Sequence, residues 1–369
     1  MGNISKAVVA GFAIFSMIFG SANIVFPLII GKDFSSHYIF AIIGWSIGAV
    51  IIPMLGYLGT LIFDGDNKKY MAPLGKYCTF ALMILFMTIA GPLGVAARMI
   101  NIAFGGMHIA APEMNELIFN LAYCIVTIVL AWNPGKLVQM IGLVFTPLKF
   151  GGVAIVVVGA LYFGGAFSEI PKSSIPVTTC MYDSMITGFQ TADLIAAFVM
   201  GSAIFHYLKN SLPANISKKS FIKFSGLTCT VGALSLGLVY IGLTMIGAQY
   251  SSSLTGVPNE SLFAQIAFLS MGKSALWFVA VVIAVCCLGT NIALLSAFTD
   301  FVHLEICKEK FNRRYIFLAS GATAFVVSLL GFDQICAILE VVLKRIYPLL
   351  IMFVILRLGY YFMKKKYAE

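Results

Sequence analysis

The chain has 369 residues, of which 60% are hydrophobic and only 11% charged, with a net charge of +9. A soluble domain carries about 25% charged residues, so these proportions exclude a water-soluble globular fold and make lipid the natural solvent. The positive surplus does not point to nucleic acid, because the basic residues lie in short connections between apolar stretches, where they set orientation in a bilayer.

A membrane-spanning helix needs about 20 mostly apolar residues. The sequence offers ten such segments, at 6–31, 38–63, 77–105, 117–132, 137–164, 185–208, 220–249, 274–303, 315–331 and 335–362. The expected fold is all-α and integral to the membrane. The first apolar run is too long for a cleavable signal, and no A-x-A site follows it. An even count puts both termini on one side. With that side cytoplasmic, the inner connections hold clusters such as Lys68, Lys69 and Lys76, Lys209 to Lys223, and Lys308 to Arg314, against Lys32, Lys172 and Lys273 outside. This asymmetry agrees with the positive-inside rule. The outer stretches 165–184 and 250–273, rich in Ser, Thr, Pro and Gly, read as connectors or as caps on an external vestibule. An odd number of segments per half makes the second half enter from the opposite face, which is the geometry of an inverted repeat. The repeats are expected at 1–164 and 185–363.

Segment one contains FGSANIVFP, residues 19–27. Gly20, Ser21, Asn23 and Pro27 this close together weaken a helix. A broken helix in lipid frees backbone groups that must find partners in protein or water. The half-helix that starts there offers N–H groups and a positive dipole end, suited to a carboxylate. The half that stops offers carbonyls, suited to a cation. Ser21 and Asn23 add side-chain ligands. The alternative is a small-residue surface for close helix packing.

Segment three contains IAGPLGVAARM, a kink at Gly91 and Pro92 followed by Arg98, which either snorkels to an interface or lines the pathway. Segment five holds Lys149 after Pro147 near mid-span, where an ammonium must find carboxylates or carbonyls, or lose its proton. A structural pair with Asp193 is one reading. Segment six contains TGFQTADLIAAF, residues 187–198, the second break, with Gln190, Thr191 and Asp193 within one turn. An intramembrane Asp marks a functional site by default; a structural partnership with a buried cation is the alternative. Segment eight carries the polar patch Gly289, Thr290 and Asn291, expected to face segment one. In segment ten, Glu340 and Lys344 read as an internal ion pair or an interface cluster, and Arg357 as a snorkelling residue.

The eight cysteines are scattered, mostly within apolar segments, without metal-ligand spacing, and read as buried thiols. His37, His108, His206 and His303 sit near segment ends and make no relay. No G-x-S-x-G or H-E-x-x-H occurs, and Asp183, Asp193 and Asp300 form no catalytic pair. No ring of filter residues suggests a channel. The chain reads as a transporter and not as an enzyme, with no cofactor beyond a coupling ion, Na⁺ or H⁺.

GFAIFSMIFGSANIVFP resembles the first-helix signature of the bacterial branched-chain amino acid:cation symporters. IAGPLGVAAR, NPGKLVQMIGLVFTPL, GFQTADLIAA, CCLGTNIAL and IYPLLIMFVIL also match, in family order and over nearly the whole chain. The resemblance implies a five-plus-five inverted repeat with discontinuous first and sixth helices. It implies import of leucine, isoleucine, valine or a similar apolar amino acid across the cytoplasmic membrane, driven by Na⁺ or H⁺; a cation-independent exchanger or facilitator of the same fold is the alternative. It places the substrate backbone on Gly20, Ser21, Ala22 and Asn23, and on Gly188, Phe189, Gln190, Thr191 and Asp193. It places a coupling cation near Gly20, Asn23, Gly289 and Thr290. Phe19 and Phe189 are expected to line the side-chain pocket. Family members usually carry two further helices, which bear on oligomeric state. This sequence departs from the pattern at Ala97, where the family tends to have Pro, and at Gly289-Thr290, where it usually has two hydroxyl residues. It departs again at Lys149, where the family usually has an aliphatic residue. Losing a cation ligand in segment eight while gaining an ammonium in segment five suggests that Lys149 stands in for the coupling cation.

Overall fold

The computed structural model describes residues 2–131, 146–164, 170–213 and 215–366, which are helical with no strand. Segment one is two helices, α1 (Asn3–Ile18) and α2 (Ser21–Phe34), parted at Phe19 and Gly20, whose backbones are extended. Pro27 lies inside α2; lacking an N–H, it leaves the carbonyl of Asn23 without its intrahelical donor. Segment two runs through α3 (Tyr38–Ser46), a π turn at Ile47–Ile51, and α4 (Ile52–Ile62). A short helix, α5 (Asn67–Tyr70), is capped by Asp66, whose carboxylate accepts from the backbone of Lys68 and Lys69. Segment three is also divided, into α6 (Lys76–Ala90) and α7 (Val95–Ala110), as expected from Gly91 and Pro92. Then come α8 (Glu116–Ala131) and α9 (Thr146–Phe163). The expected start of segment five at 137, and most of the motif at 133–148, lie outside the described residues.

Segment six is α10 (Val177–Phe189) and α11 (Asp193–Ser211), divided at residues 190–192. It begins eight residues earlier than the hydropathy pattern indicates. The residues 177–184 carry Thr, Ser and Asp, which dilute the apolar signal, yet Cys180 and Ser184 are buried. The approach to α3 there is so close that a Cβ on Gly44 would stand 2.1 Å from the Met181 carbonyl oxygen. Segment seven is α12 (Lys218–Gln249), capped by the Ser217 hydroxyl. The stretch 250–273 is more than a connector. It holds α13 (Leu262–Met271), whose Leu262, Phe263, Ala264, Ile266 and Ala267 are buried. The remaining helices are α14 (Leu276–Phe301), which continues as a π turn at Val302–Ile306, α15 (Arg313–Ser328), and α16 (Phe332–Lys366).

Each of the ten apolar segments thus corresponds to a helical run. By length and apolarity, four runs among the described residues qualify singly as membrane spans, or six when each bent pair counts as one. The apolar helices Asn3–Ile18, Glu116–Ala131 and Pro147–Phe163 fall short of that length.

Close packing groups the helices into two bodies, which meet where a Cβ on Gly242 of α12 would come 2.6 Å from the Val157 side chain of α9. In the first, α1 and α2 lie on α12, and segment two lies on both halves of segment six. A Cβ on Gly31 would come 2.2 Å from the Thr244 carbonyl oxygen, and one on Gly48 would come 2.2 Å from that of Met185. In the second body, α9 meets α14 where a Cβ on Gly152 would come 2.6 Å from the Val282 side chain, and α7 packs along α14. Both discontinuous helices, segments one and six, belong to the first body and face the second.

Candidate functional site

At the first break, α1 ends and its last carbonyls lose their intrahelical donors. Lys149 of α9 is fully buried and reaches them. Its Nζ donates to the Ser16 carbonyl at 3.1 Å, to the Phe19 carbonyl at 3.0 Å and to Thr290 Oγ1 at 2.8 Å. An ammonium has three donors, and all three are used. The Thr290 hydroxyl is also 3.3 Å from the Phe19 carbonyl oxygen. Among the described residues no carboxylate lies within ion-pair distance of Lys149. The pairing with Asp193 considered from sequence is not formed, because the broken backbone already supplies the oxygens.

At the second break, Thr191 Oγ1 donates to the Gly188 carbonyl at 2.9 Å and accepts from the Asp193 N–H at 3.3 Å. Ala192 adopts the left-handed conformation, with φ +59°, which L-residues other than Gly seldom take. Asp193 is 2% exposed and accepts from Asn23 Nδ2 at 2.8 Å. Asn23 Nδ2 also donates to the Tyr240 hydroxyl, and Asn23 Oδ1 accepts from the Gly20 N–H at 3.3 Å. Asn23 therefore closes the start of α2 and ties it to α11 and α12. The Trp45 ring stands edge-on to Tyr240 at 5.5 Å, completing this wall.

Between the breaks lies a small cavity. Met17, Ile18, Ala22 and Asn23 line it from segment one, Ala90, Val95 and Met99 from segment three, Thr191, Ala192, Asp193 and Ala196 from segment six, and Thr290 and Leu294 from α14. Its walls are apolar, with polar groups gathered at the two breaks. Its volume is about 20 Å³, roughly the space of one water, so a larger occupant enters only when the packed helices part.

The structure brings Ala22, Asn23, Thr191, Asp193 and Thr290 to this cavity, and Gly20 stands at its edge, where an added Cβ would meet Met99 and Thr290. The backbone of Ser21 opens α2 beside it. Other predicted residues are turned away. Gly188 packs on segment two, with a Cβ there 2.9 Å from the Ala49 nitrogen. Gln190 is buried outside the cavity lining, and its Oε1 has no hydrogen-bond partner. Phe189 stacks on Tyr347 at 4.7 Å and borders a separate groove against α16. Phe19 stacks on Phe15 at 5.0 Å. Neither phenylalanine lines the cavity, a correction whose cause is packing: each closes the helix before its break and turns onto an aromatic neighbour, Phe15 or Tyr347. On α14, Thr290 faces the first break, whereas its neighbour Gly289 brings no ligand to Lys149 and Asn291 is buried with its Oδ1 unpartnered. Asn23 joins the two breaks, capping α2 at the first and bonding Asp193 at the second.

Arg98 does not snorkel. It is fully buried, and Nη2 donates to the Thr191 carbonyl at 3.4 Å. Arg357 reaches the connection after segment two: Nε and Nη2 donate to the carbonyls of Tyr70 and Lys69 at 3.0 and 3.1 Å, and its guanidinium covers Phe63. Glu340 and Lys344 form a half-exposed ion pair one turn apart. The sequence reading missed Tyr240, Met99 and Ala196. Tyr240 had a signal: a tyrosine hydroxyl in mid-span must find a partner when buried.

The sequence pattern of the family described as "Branched-chain amino acid transport protein" matches residues 3–368. The chain is 26% identical over 350 residues to the Pseudomonas aeruginosa branched-chain amino acid transport system 3 carrier protein, covering 92% of this chain and 77% of that one. It is 27% identical over 368 residues to the Escherichia coli K12 branched-chain amino acid permease BrnQ, covering 95% and 80%. In fold it is similar to Mhp1, a nucleobase-cation-symport-1 family transporter, with a TM-score of 0.62 at 13% identity over 93% of this chain and 75% of that one. It is similar also to MhsT in complex with L-phenylalanine, with a TM-score of 0.61 at 16% identity over 95% and 87%. These relatives are named as carriers, permeases and transporters, not as enzymes. With a family pattern running from residue 3 to residue 368, the chain belongs to the branched-chain amino acid transport protein family.

Proposed function

We propose that the protein imports branched-chain or similar apolar amino acids, namely leucine, isoleucine, valine or methionine, across the cytoplasmic membrane by alternating access. Both termini face the cytoplasm. Ten spans form two inverted repeats, the first over 1–164 and the second from Val177 onward. The first packed body, with both broken helices, rocks against the second around the cavity. The amino group of the substrate meets Asp193 and the carbonyls of the second break, and the aliphatic side chain meets Met17, Val95, Met99 and Leu294. One methylene in such a pocket changes affinity by about 1–3 kcal/mol, so selectivity among these amino acids is modest.

The observation that carries the coupling is the bonding of Lys149. Its ammonium occupies three oxygens at the end of α1 and on α14 that a solution cation would otherwise use. Import is accordingly driven by protons rather than by Na⁺. The same observation favours a second reading, a cation-independent exchanger or facilitator, because a tethered ammonium need not be released for the cycle to turn.

The test is uptake of radiolabelled leucine into liposomes containing the full chain, with Na⁺ and H⁺ gradients imposed separately. Accumulation under a proton gradient alone supports the main reading, and exchange without accumulation supports the second. Accumulation under a Na⁺ gradient alone overturns the role given to Lys149, and no movement of leucine under any condition overturns the substrate.

A further inference from the structure

A zwitterionic substrate brings a full negative charge into this cavity, and a buried carboxylate needs a charged or multiply bonded partner. The groups at hand are few. At the start of α2 the Gly20 N–H is already taken by Asn23 Oδ1, and the N–H groups that remain in its first turn are neutral donors. Lys149 has spent its three donors on Ser16, Phe19 and Thr290. Arg98 is different. It is 0% exposed, only Nη2 has a hydrogen bond, and Nε and Nη1 have no partner. An uncompensated guanidinium at this depth is expensive, and such a residue in a span marks a functional site. No carboxylate lies within ion-pair distance of it among the described residues.

The position fits a role at the cavity. Arg98 is not itself in the cavity wall; it sits on the turn of α7 whose Val95 and Met99 line the cavity, and its one hydrogen bond goes to the lining residue Thr191. The guanidinium carbon is 5.7 Å from the centre of the Phe26 ring, one turn along α2 from Asn23. Asp193 lies within its electrostatic reach, yet Asp193 is bonded to Asn23 across the break. A fork of free guanidinium donors matches a carboxylate in bidentate geometry.

We infer that Arg98 binds the α-carboxylate of the substrate, through the nitrogens left free beside the second break. This rests on the amino-acid reading given above. Asp193 then takes the ammonium and Arg98 the carboxylate, so the two ends of the zwitterion are read by two buried charges on different packed bodies. Binding of one molecule ties segment six to segment three.

The probes are L-leucine, L-leucine amide, which lacks the carboxylate, and 4-methylpentanoate, which lacks the amine. The readouts are thermal stabilisation of the purified full chain and competition against leucine uptake. In the wild type, 4-methylpentanoate stabilises, and leucine binds better than leucine amide by about thirtyfold, the worth of a charge-assisted hydrogen bond pair. Arg98→Gln loses stabilisation by 4-methylpentanoate, and its preference for leucine over the amide shrinks to within about threefold. Arg98→Lys keeps the charge without the fork and recovers part of the preference; it also serves if the Gln variant does not fold. Wild-type discrimination retained in either variant overturns the inference. So does stabilisation by chloride but not by 4-methylpentanoate, which would make Arg98 an inorganic-anion site. Arg98-dependent binding of 4-methylpentanoate by a protein that moves no leucine upholds the inference while removing the import reading.

Discussion

The two broken helices solve the same problem by opposite means. At the first break the freed carbonyls of Ser16 and Phe19 are closed by a charge from another helix, Lys149 of α9. At the second break the chain closes on itself, through the Thr191 hydroxyl and a left-handed Ala192. The first is held by an ammonium from the other packed body, the second mainly by local bonds at a left-handed residue, with one hydrogen bond from Arg98 across the bodies. Breaking a helix in lipid is therefore not one device. The first break keeps a fixed cation, and the second keeps a carboxylate held by Asn23.

Removing Lys149 has the largest expected effect. Lys149→Ala leaves the Ser16 carbonyl buried without a donor and the Phe19 carbonyl with the Thr290 hydroxyl alone, at about 1–3 kcal/mol for an unsatisfied group, so the melting temperature falls and uptake is lost. The same three oxygens then form a cation site. NaCl, but not choline chloride, should raise the melting temperature of this variant and leave the wild type unmoved. Equal behaviour of the two salts would mean that the first break is closed by packing and not by charge.

Next comes the support of the second break. Gly188→Ala forces a methyl group to 2.9 Å from the Ala49 nitrogen, and overpacking of this kind costs about 1–3 kcal/mol. Denaturation in detergent should show that loss. Tyr240→Phe removes one partner of Asn23 while leaving Asp193 its bond to Asn23, for about 1 kcal/mol. The smallest effect belongs to Ala192→Gly, and its sign is reversed. Glycine adopts positive φ without steric cost, so the folded chain gains up to about 1 kcal/mol. A stability loss there would show that the strain is relieved elsewhere.

Much of this contrast was legible in the sequence. Gly20, Asn23 and Pro27 announce the first break, and Gln190, Thr191 and Asp193 the second. The exchange of a hydroxyl residue for Gly289 and of an aliphatic one for Lys149 pointed to a tethered ammonium. What the sequence could not carry was rotation. Helical periodicity of 100° per residue holds only within a continuous helix, so beyond each break the facing side chains are unpredictable. Met99 and Ala196, each beyond a break, were passed over for that reason. Phe19 and Phe189, each at the end of the helix before a break, were misplaced because their aromatic partners Phe15 and Tyr347 could not be read from the sequence. The early start of α10 was hidden by its Thr, Ser and Asp content, since hydropathy averages over residues that tertiary packing treats singly, and α13 by its length of 10 residues, too short to read as a span. The number of true spans depends on a bilayer plane that hydropathy alone does not draw.

One consequence of the Lys149 bonding concerns the medium around the cell. A ligand joined by four methylenes to a helix has an effective concentration set by its tether, of millimolar order or above for a short flexible link. Dilution of the external medium does not change it. The oxygens of Ser16, Phe19 and Thr290 meet the same ammonium in fresh water as in brine.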